Sequence, residues 1–415
     1  MVSAPFRLSG ITRGQRQTLV AAALGWMLDS FDVMLYALVL THIMRDLGMT
    51  KSTAGLLYTL TLLASGIGGV LFGFVADRIG RKKALVLSIL TYSVCSFGSG
   101  LSTSILMLAA FRFVLGLGMG GEWNTGATLV AETWPTELRA KALAIVQSSW
   151  AIGYALAAVV AGLMLRAFDN NWRYVFFVGV LPALAVLWIQ ARVPESTMWQ
   201  EHRAASESGG ESASFWELFS PPFRKKTFAL LFLNLLGMFG WWGLFTWVPS
   251  YLSLPVSQGG RGFPVGETTT MLVFLNLVGM FPGYASFGWV ADRLGRKRSF
   301  ALYLVLAAAL VPLYALVRNP TMLLLLGAPV AFFGTGFFSG SSIAGSEIFP
   351  TRVRARALGF TYNGARMLSS TAPFIIGWVG QQKGLSWAFL LCSASFFLAF
   401  LASQLLPETK GKALD

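Results

Sequence analysis

From about Gln17 to Thr41 the chain runs in predominantly apolar residues, far enough to cross a bilayer as a helix. Eleven further runs of the same kind follow, roughly 53–76, 83–101, 105–131, 140–165, 173–191, 226–252, 267–290, 299–317, 321–347, 357–381 and 385–406. Of the 415 residues, 55% are hydrophobic and 12% charged, where a soluble domain carries about 25% charged residues. The chain is therefore expected to be an all-α integral membrane protein with twelve transmembrane helices, its surroundings the lipid bilayer. Arg7, Arg13 and Arg16 precede the first span with no small-residue cleavage site after a short apolar core, which predicts an uncleaved first helix.

The net charge of +14 does not point to nucleic acid, because most Lys and Arg fall in alternate loops. Arg78, Arg81, Lys82, Lys83, Arg139, Lys141, Arg224, Lys225, Lys226, Arg293, Arg296, Lys297, Arg298, Arg352, Arg354 and Arg356 collect on one side. The positive-inside rule places that side, and both termini, in the cytoplasm, and the short loops fit a bacterial inner membrane. Cys95 and Cys392 lie far apart in apolar runs and suggest neither a disulfide framework nor a metal site. With no zinc spacing, no G-x-S-x-G elbow and only two histidines, an enzyme is not expected, nor any cofactor.

The longest connection on the basic side, about Val193 to Arg224, contains SESGGESAS and reads as a flexible linker. It divides the chain into a bundle of six spans at 1–192, a cytoplasmic linker at 193–224 and a second bundle at 225–415. The bundles are repeats. Gly73-FVADRIGRKK returns as Gly288-WVADRLGRKR, and Asp77 recurs as Asp292, 215 residues on. Glu132, Pro135 and Arg139 recur at the same interval as Glu347, Pro350 and Arg354. One register held across two separate loops implies duplication, and two such halves about an axis along the membrane normal make a transporter architecture.

G-x-x-x-D-R-x-G-R-K at Gly73–Lys82 and Gly288–Lys297 resembles the signature loop of the major facilitator superfamily. E-x-x-P-x-x-x-R at Glu132–Arg139 and Glu347–Arg354, and Pro194-Glu-Ser and Pro407-Glu-Thr after the sixth and twelfth spans, resemble its other inner-loop motifs. Within the superfamily, LDSFD in the first span, RFVLGLGMGGEW at Arg112–Trp123 and WWGLFTWVPSYL at Trp241–Leu252 are similar to proton-coupled metabolite and organic-acid carriers, including sialate and monocarboxylate permeases. The resemblance implies a secondary active transporter working by alternating access, with the proton as coupling ion.

Two classes of charge separate on this reading. The repeated loop residues Asp77, Arg78, Arg81, Glu132 and Arg139, with Asp292, Arg293, Arg296, Glu347 and Arg354, are expected to form a gate. Each Asp would cap a neighbouring helix, the Arg residues would bridge to Glu132 or Glu347, and the bonds would break on the inward swing. The intramembrane charges Asp29, Asp32, Arg112, Glu122 and Arg366 have no such repeats; their counterparts are Leu244, Trp247, Gly327, Phe337 and Ala151. An Asp at the centre of a span costs about 2.5–3.5 kcal/mol to insert, so such residues mark function unless they form a static buried pair. Asp29 and Asp32 stand at i, i+3, on one helix face, and should resist double ionisation. The resemblance carries a proton-coupling role to Asp32 facing Arg112, both about 10–14 Å from the outer side at 1.5 Å per residue; Glu122 lies deeper, near the level of Asp29. The glycines Gly116, Gly118, Gly120 and Gly121 are read as a close-packing stripe.

Arg366, with Asn363 nearly a turn before it, is the candidate anion site, because a planar guanidinium fits a carboxylate bidentately; the alternative is an Arg that snorkels to the inner surface. Trp242, Tyr362 and Gln147 are candidate cavity residues, with Trp150 and Tyr154 beside them, and Tyr251 is assigned to the interfacial aromatic belt. The expected function is proton-coupled uptake of a small organic anion such as a monocarboxylate or sialic acid. A sugar or neutral-metabolite symporter, and an exporter of aromatic or drug-like compounds, remain open alternatives. A single chain with both halves suffices, so a monomer is expected.

Overall fold

The computed structural model describes residues 11–196, 200 and 215–410. Among the described residues twelve helical elements cross the bundle: α1 Arg13–Asp46, α2 Lys51–Ile79, α3 Arg81–Gly100, α4 Ile105–Thr133, α5 Thr136–Ala167, α6 Trp172–Arg192, α7 Pro221–Ser253, α8 Val265–Leu294, α9 Arg296–Leu316, α10 Pro320–Ile348, α11 Thr351–Ser369 continued by Ala372–Lys383, and α12 Leu385–Gln404. Ten of these are each long and apolar enough to cross a membrane; α3 and α11 complete the twelve. Most of the predicted linker, 197–199 and 201–214, lies outside the described residues; its end, Phe215–Phe219, forms a short 3-10 turn before α7.

Local chemistry fixes where these helices begin and break. Thr12 and Gln15 form a reciprocal capping box ahead of α1, and the side chains of Thr50, Ser104 and Asn319 accept first-turn N–H groups of α2, α4 and α10. Gly80 and Gly295, one repeat apart, end α2 and α8 at φ 103° and 92°, a region that glycine enters without strain, and so turn the chain at once into α3 and α9. Four spans are interrupted: α6 at 179–181, α10 at Gly336, α11 at 370–371, and α8 by a π-helical turn at Leu275–Met280. That turn lies just ahead of Pro282, which has no N–H to give to the helical ladder.

Packing follows the glycines. A Cβ on Gly116 would meet the Thr61 carbonyl, one on Gly120 the Ser65 carbonyl, and one on Gly68 the Leu117 carbonyl, so α2 and α4 touch backbone to backbone. The stripe on α4 is thus a packing device, as the sequence suggests. Large apolar side chains such as Leu106, Leu187 and Leu316 lie exposed on the outside of the bundle.

The antiparallel pair α2 and α11 joins the two halves and reports how they sit. On the face opposite the basic loops, Gly55 abuts the Pro373 carbonyl, Lys51 Nζ donates to the Gln258 carbonyl at 2.6 Å, and the Ser52 N–H donates to Gln381 Oε1 at 3.2 Å. Midway, Gly66 meets Met367. Further on, Gly73 and Gly359 stand at corresponding depths, yet a Cβ on either would find nothing within 4 Å. The halves are sealed at one face and parted at the basic face. Tyr251 is not in a lipid-facing belt but packed inside the second half: it is fully buried, donates to the Ala315 carbonyl at 2.9 Å and is covered by the Arg261 guanidinium.

Candidate functional site

The repeated loops build two near-identical clusters at the basic face. Arg81, at the start of α3, pairs with Asp77 at 2.6 Å and Glu132 at 3.1 Å. Arg296, at the start of α9, pairs with Asp292 at 3.0 Å and Glu347 at 2.6 Å. The N-termini of α3 and α9 are capped by the acids after α6 and α12. Glu195 accepts the N–H groups of Arg81 and Lys82 at 3.0 and 3.1 Å, and Glu408 those of Arg296 and Lys297 at 2.9 and 3.1 Å. A carboxylate at a helix N-terminus meets both unpaired N–H groups and the positive end of the dipole. For Glu408 partial burial works against ionisation, and the N–H groups of Arg296, Lys410, Lys297 and Thr409 outweigh it, holding its carboxyl below the usual range.

The expected bridges from Arg81 to Glu132 and from Arg296 to Glu347 are formed, and each ties elements within one half. Each cluster has the geometry of a brace between helices of one half. Of the other loop residues, Arg293 stacks on Trp289 at 3.6 Å, Arg354 Nε donates to the Phe349 carbonyl at 3.1 Å, and Arg139 Nε has no hydrogen-bond partner. Arg78 sits beside Asp77 in the last turn of α2.

All five intramembrane charges are buried, none more than 3% exposed. Asp29 and Asp32 diverge although they share a helix. Asp32 accepts from Ser96 on α3 at 3.0 Å and lies against Gly179, whose missing side chain makes room for it. Asp29 faces the other way, within electrostatic reach of Arg366 and Arg112, and Glu122 is within reach of Asp29 and Arg366. Glu122 occupies the space left by Gly25, where a Cβ would overlap its carboxylate. No oxygen of Asp29 or Glu122 has a hydrogen-bond partner, and Arg366 Nη2 has none either.

The predicted direct pairing of Asp32 with Arg112 is not formed. Arg112 donates to the Val33 carbonyl at 3.4 Å and lies over the Tyr36 ring at 5.0 Å, while the Asp32 carboxylate turns toward α3. The ring face supplies an electrostatic partner for the cation. Equal depth along two spans does not set the direction in which a side chain points.

Arg366 does not snorkel. It is 3% exposed and lines a central pocket together with Trp26, Gln147, Trp150, Trp242 and Tyr362. The pocket encloses about 300 Å³ of empty space, including its opening, and Met238, Trp241, Tyr284 and Phe338 complete the wall. Trp26, Trp150, Trp241 and Trp242 form a connected aromatic box, with ring centroids 4.7–5.9 Å apart. Arg366, Trp242, Tyr362 and Gln147 are therefore where the sequence placed them, whereas Asn363 is half-buried outside the lining. Trp26 was missed, although it stands one turn before Asp29 on the same helix. Tyr284 had no sequence signal: it is one aromatic among many in an apolar run.

Comparison with known proteins gives a consistent placement. The Major Facilitator Superfamily profile matches residues 22–286 and 262–414. The chain is 34% identical over 406 residues to a probable 4-methylmuconolactone transporter of Cupriavidus pinatubonensis, covering 97% of this chain and 92% of that protein. It is 32% identical to the sialic acid transporter NanX of Escherichia coli, with 92% and 91% covered, and 30% identical to the cis,cis-muconate transport protein of Acinetobacter baylyi, with 94% and 93% covered. Its fold is similar to that of the E. coli xylose transporter XylE in a partially occluded inward-open conformation, with a TM-score of 0.77, 18% identity, and 97% of this chain and 100% of that one covered. Twelve helices, a loop motif repeated at one interval and a central pocket between the halves agree with these matches: the chain is a membrane transporter, not an enzyme, and belongs to the Major Facilitator Superfamily.

Proposed function

We propose that this protein imports a small organic anion together with a proton by alternating access, in a bacterial inner membrane with the basic face and both termini in the cytoplasm. The observation that carries the reading is Arg366: a buried guanidinium in an aromatic pocket between the halves, facing two carboxylates that bond to nothing. The names of relatives, transporters of muconate, sialic acid and niacin, support a carboxylate as cargo. In this conformation the pocket lies between a sealed outer face and parted cytoplasmic ends.

Coupling follows from shared charge. With Asp29 and Glu122 ionised, Arg366 has carboxylates to face already. An incoming carboxylate takes the guanidinium fork bidentately, and the acids lose part of the positive charge they faced. Two like charges in a dry site resist joint ionisation, so binding of the anion favours a proton on the Asp29–Glu122 pair. By linkage, the proton favours the anion equally. Both halves of the pathway lie in one chain, so a monomer is sufficient.

The test is uptake into proteoliposomes under an inward-acid pH gradient, with labelled cis,cis-muconate, nicotinate, N-acetylneuraminate, lactate and xylose. Accumulation of an acid that collapses on adding a protonophore supports the reading. Accumulation of xylose without any acid overturns it and makes Arg366 a structural residue.

A further inference from the structure

Two donors in the central pocket have nothing to donate to. Trp26 on α1 and Trp150 on α5 line the same pocket as Arg366, are 3% and 2% exposed, and their indole Nε1 atoms lack any hydrogen-bond partner. Their rings lie 4.7 Å apart and form one wall of the pocket, supplied by α1 and α5 of the first six helices. Four other buried indoles of the bundle are satisfied. Trp241 donates to Thr335 Oγ1, Trp247 to the Pro373 carbonyl, Trp134 to the Gln15 carbonyl and Trp172 to Asp46. Buried polar groups are bonded in the great majority of cases, and a donor left unmade is costly. Acceptors are not scarce here: Asp29 stands one turn beyond Trp26 with both oxygens unbonded, yet neither indole reaches it. Across the pocket, Arg366 Nη2 on α11 is likewise unpartnered.

We infer that Trp26 and Trp150 are substrate-positioning residues, whose indole N–H groups donate to a second acceptor of the transported acid while Arg366 holds its carboxylate. This rests on the organic-anion reading above and adds the chemical class: a carboxylic acid that carries a further hydrogen-bond acceptor, such as a ring nitrogen, a ring oxygen or a second carboxylate. A carboxylate seated in the Arg366 fork turns both oxygens toward α11. The donors on α1 and α5 therefore meet the other end of the ligand. A ligand held in this way touches both halves of the bundle at once, and an acid without the second acceptor leaves two N–H groups buried and unpaired. Sites of this kind discriminate strongly against analogues that lack the bonding group.

The test uses the full chain in detergent and two matched pairs of acids: nicotinate with benzoate, and trans,trans-muconate with sorbate. The second member of each pair lacks the second acceptor. The expected result is that the wild-type protein prefers the acceptor-bearing acid in at least one pair by about tenfold or more, and that Trp26→Phe and Trp150→Phe each remove most of that preference, since a single hydrogen bond is worth about that factor. Phe keeps an aromatic ring in the box and removes only the donor side of the indole. As a second measurement, the indole N–H resonances of Trp26 and Trp150 in ¹⁵N-Trp-labelled wild-type protein are expected to move downfield on adding the preferred acid. Equal binding within both pairs, or unmoved resonances when an acid binds in an Arg366-dependent manner, overturns the inference. If no acid of either pair binds the wild-type protein, the anion reading fails and the inference fails with it, an outcome distinct from binding that ignores the two indoles.

Discussion

The two basic-face clusters and the central charges treat the same repeat in opposite ways. Arg81 and Arg296 each bind an Asp four residues earlier and a Glu 51 residues later, and each sits where a distant glutamate caps the helix it starts. Duplication has preserved an entire bonding pattern in both places. At mid-membrane nothing is preserved: Asp29, Asp32, Arg112 and Glu122 belong to the first half, Arg366 to the second, and the counterparts of all five are uncharged. On the function proposed above, charge that braces two moving halves is needed twice, and charge that serves a ligand and a proton is needed once, on whichever side faces the pocket.

The sharpest way to break this contrast is at Arg366. Truncating one partner of a buried, hydrogen-bonded charge pair costs about 2–5 kcal/mol, so Arg366→Ala is expected to weaken binding of the best acid about 30-fold or more, measured by titration of the purified protein. Arg366→Lys keeps the charge but loses the fork and should fall between the two. If Arg366→Ala binds the acid as the wild type does, the central charges are architecture as well, and the division between repeated and unrepeated residues carries no functional meaning.

The acids come next. Asp29→Asn and Glu122→Gln remove a proton site each while leaving the Arg366 fork in place. Uphill accumulation under a pH gradient is expected to fall at least tenfold in one or both variants, with counterflow exchange of labelled for unlabelled acid retained. Loss of exchange in equal measure would place these acids in substrate binding and not in coupling. Asp32, bonded to Ser96 and turned away from the pocket, is expected to affect accumulation less than Asp29 does when each is changed to Asn.

Much of this was legible in the sequence because it depends on long or repeated signals. Apolar runs set the twelve spans, and a constant interval between two loops revealed the halves. Burial of Arg366 was legible too, since a charge inside a span has few places to go. What the sequence withheld was direction. Asp29 and Asp32 lie one turn apart, and only the positions of Ser96 and Gly179 on other helices turn one of them away. The caps of α3 and α9 come from Glu195 and Glu408, 114 and 112 residues away from the helix starts they cap. Contacts over such a separation leave no local pattern, although the recurring Pro-Glu pair after α6 and α12 was the trace of this one.

The braces supply a test of symmetry. Arg81→Gln and Arg296→Gln each remove a partly buried cation that serves two carboxylates, one of them well exposed. Hydrogen bonds to charged groups are worth about 1.5–3 kcal/mol, less where solvent screens them, so each variant should lose about 1–2 kcal/mol of stability and turn over several-fold more slowly. Substrate affinity should change by less than about threefold, because neither side chain reaches the pocket. Equal losses in the two variants support a shared bracing role; a large loss in one alone shows that the repeat has diverged in function.

The smallest expected effect sharpens the same symmetry. Glu408 is held in its ionised form by four backbone N–H groups, from Arg296, Lys297, Thr409 and Lys410, and its carboxyl titrates below the usual range. A group with a depressed folded-state pKa adds stability above its unfolded value, about 4.3 for Glu, and loses it as the pH falls through the folded value. Glu408→Gln is therefore expected to lower the unfolding temperature at pH 7, by an amount corresponding to about 0.3–1 kcal/mol for an exposed carboxylate at a helix N-terminus, and the gap to the wild type should narrow steadily below about pH 4.3. Glu195→Gln serves as the counterpart for the loss at pH 7, since Glu195 accepts from Arg81, Lys82 and Ser196. A gap that stays constant from pH 7 to pH 4 would mean that the cap works through its hydrogen bonds alone and not through its charge.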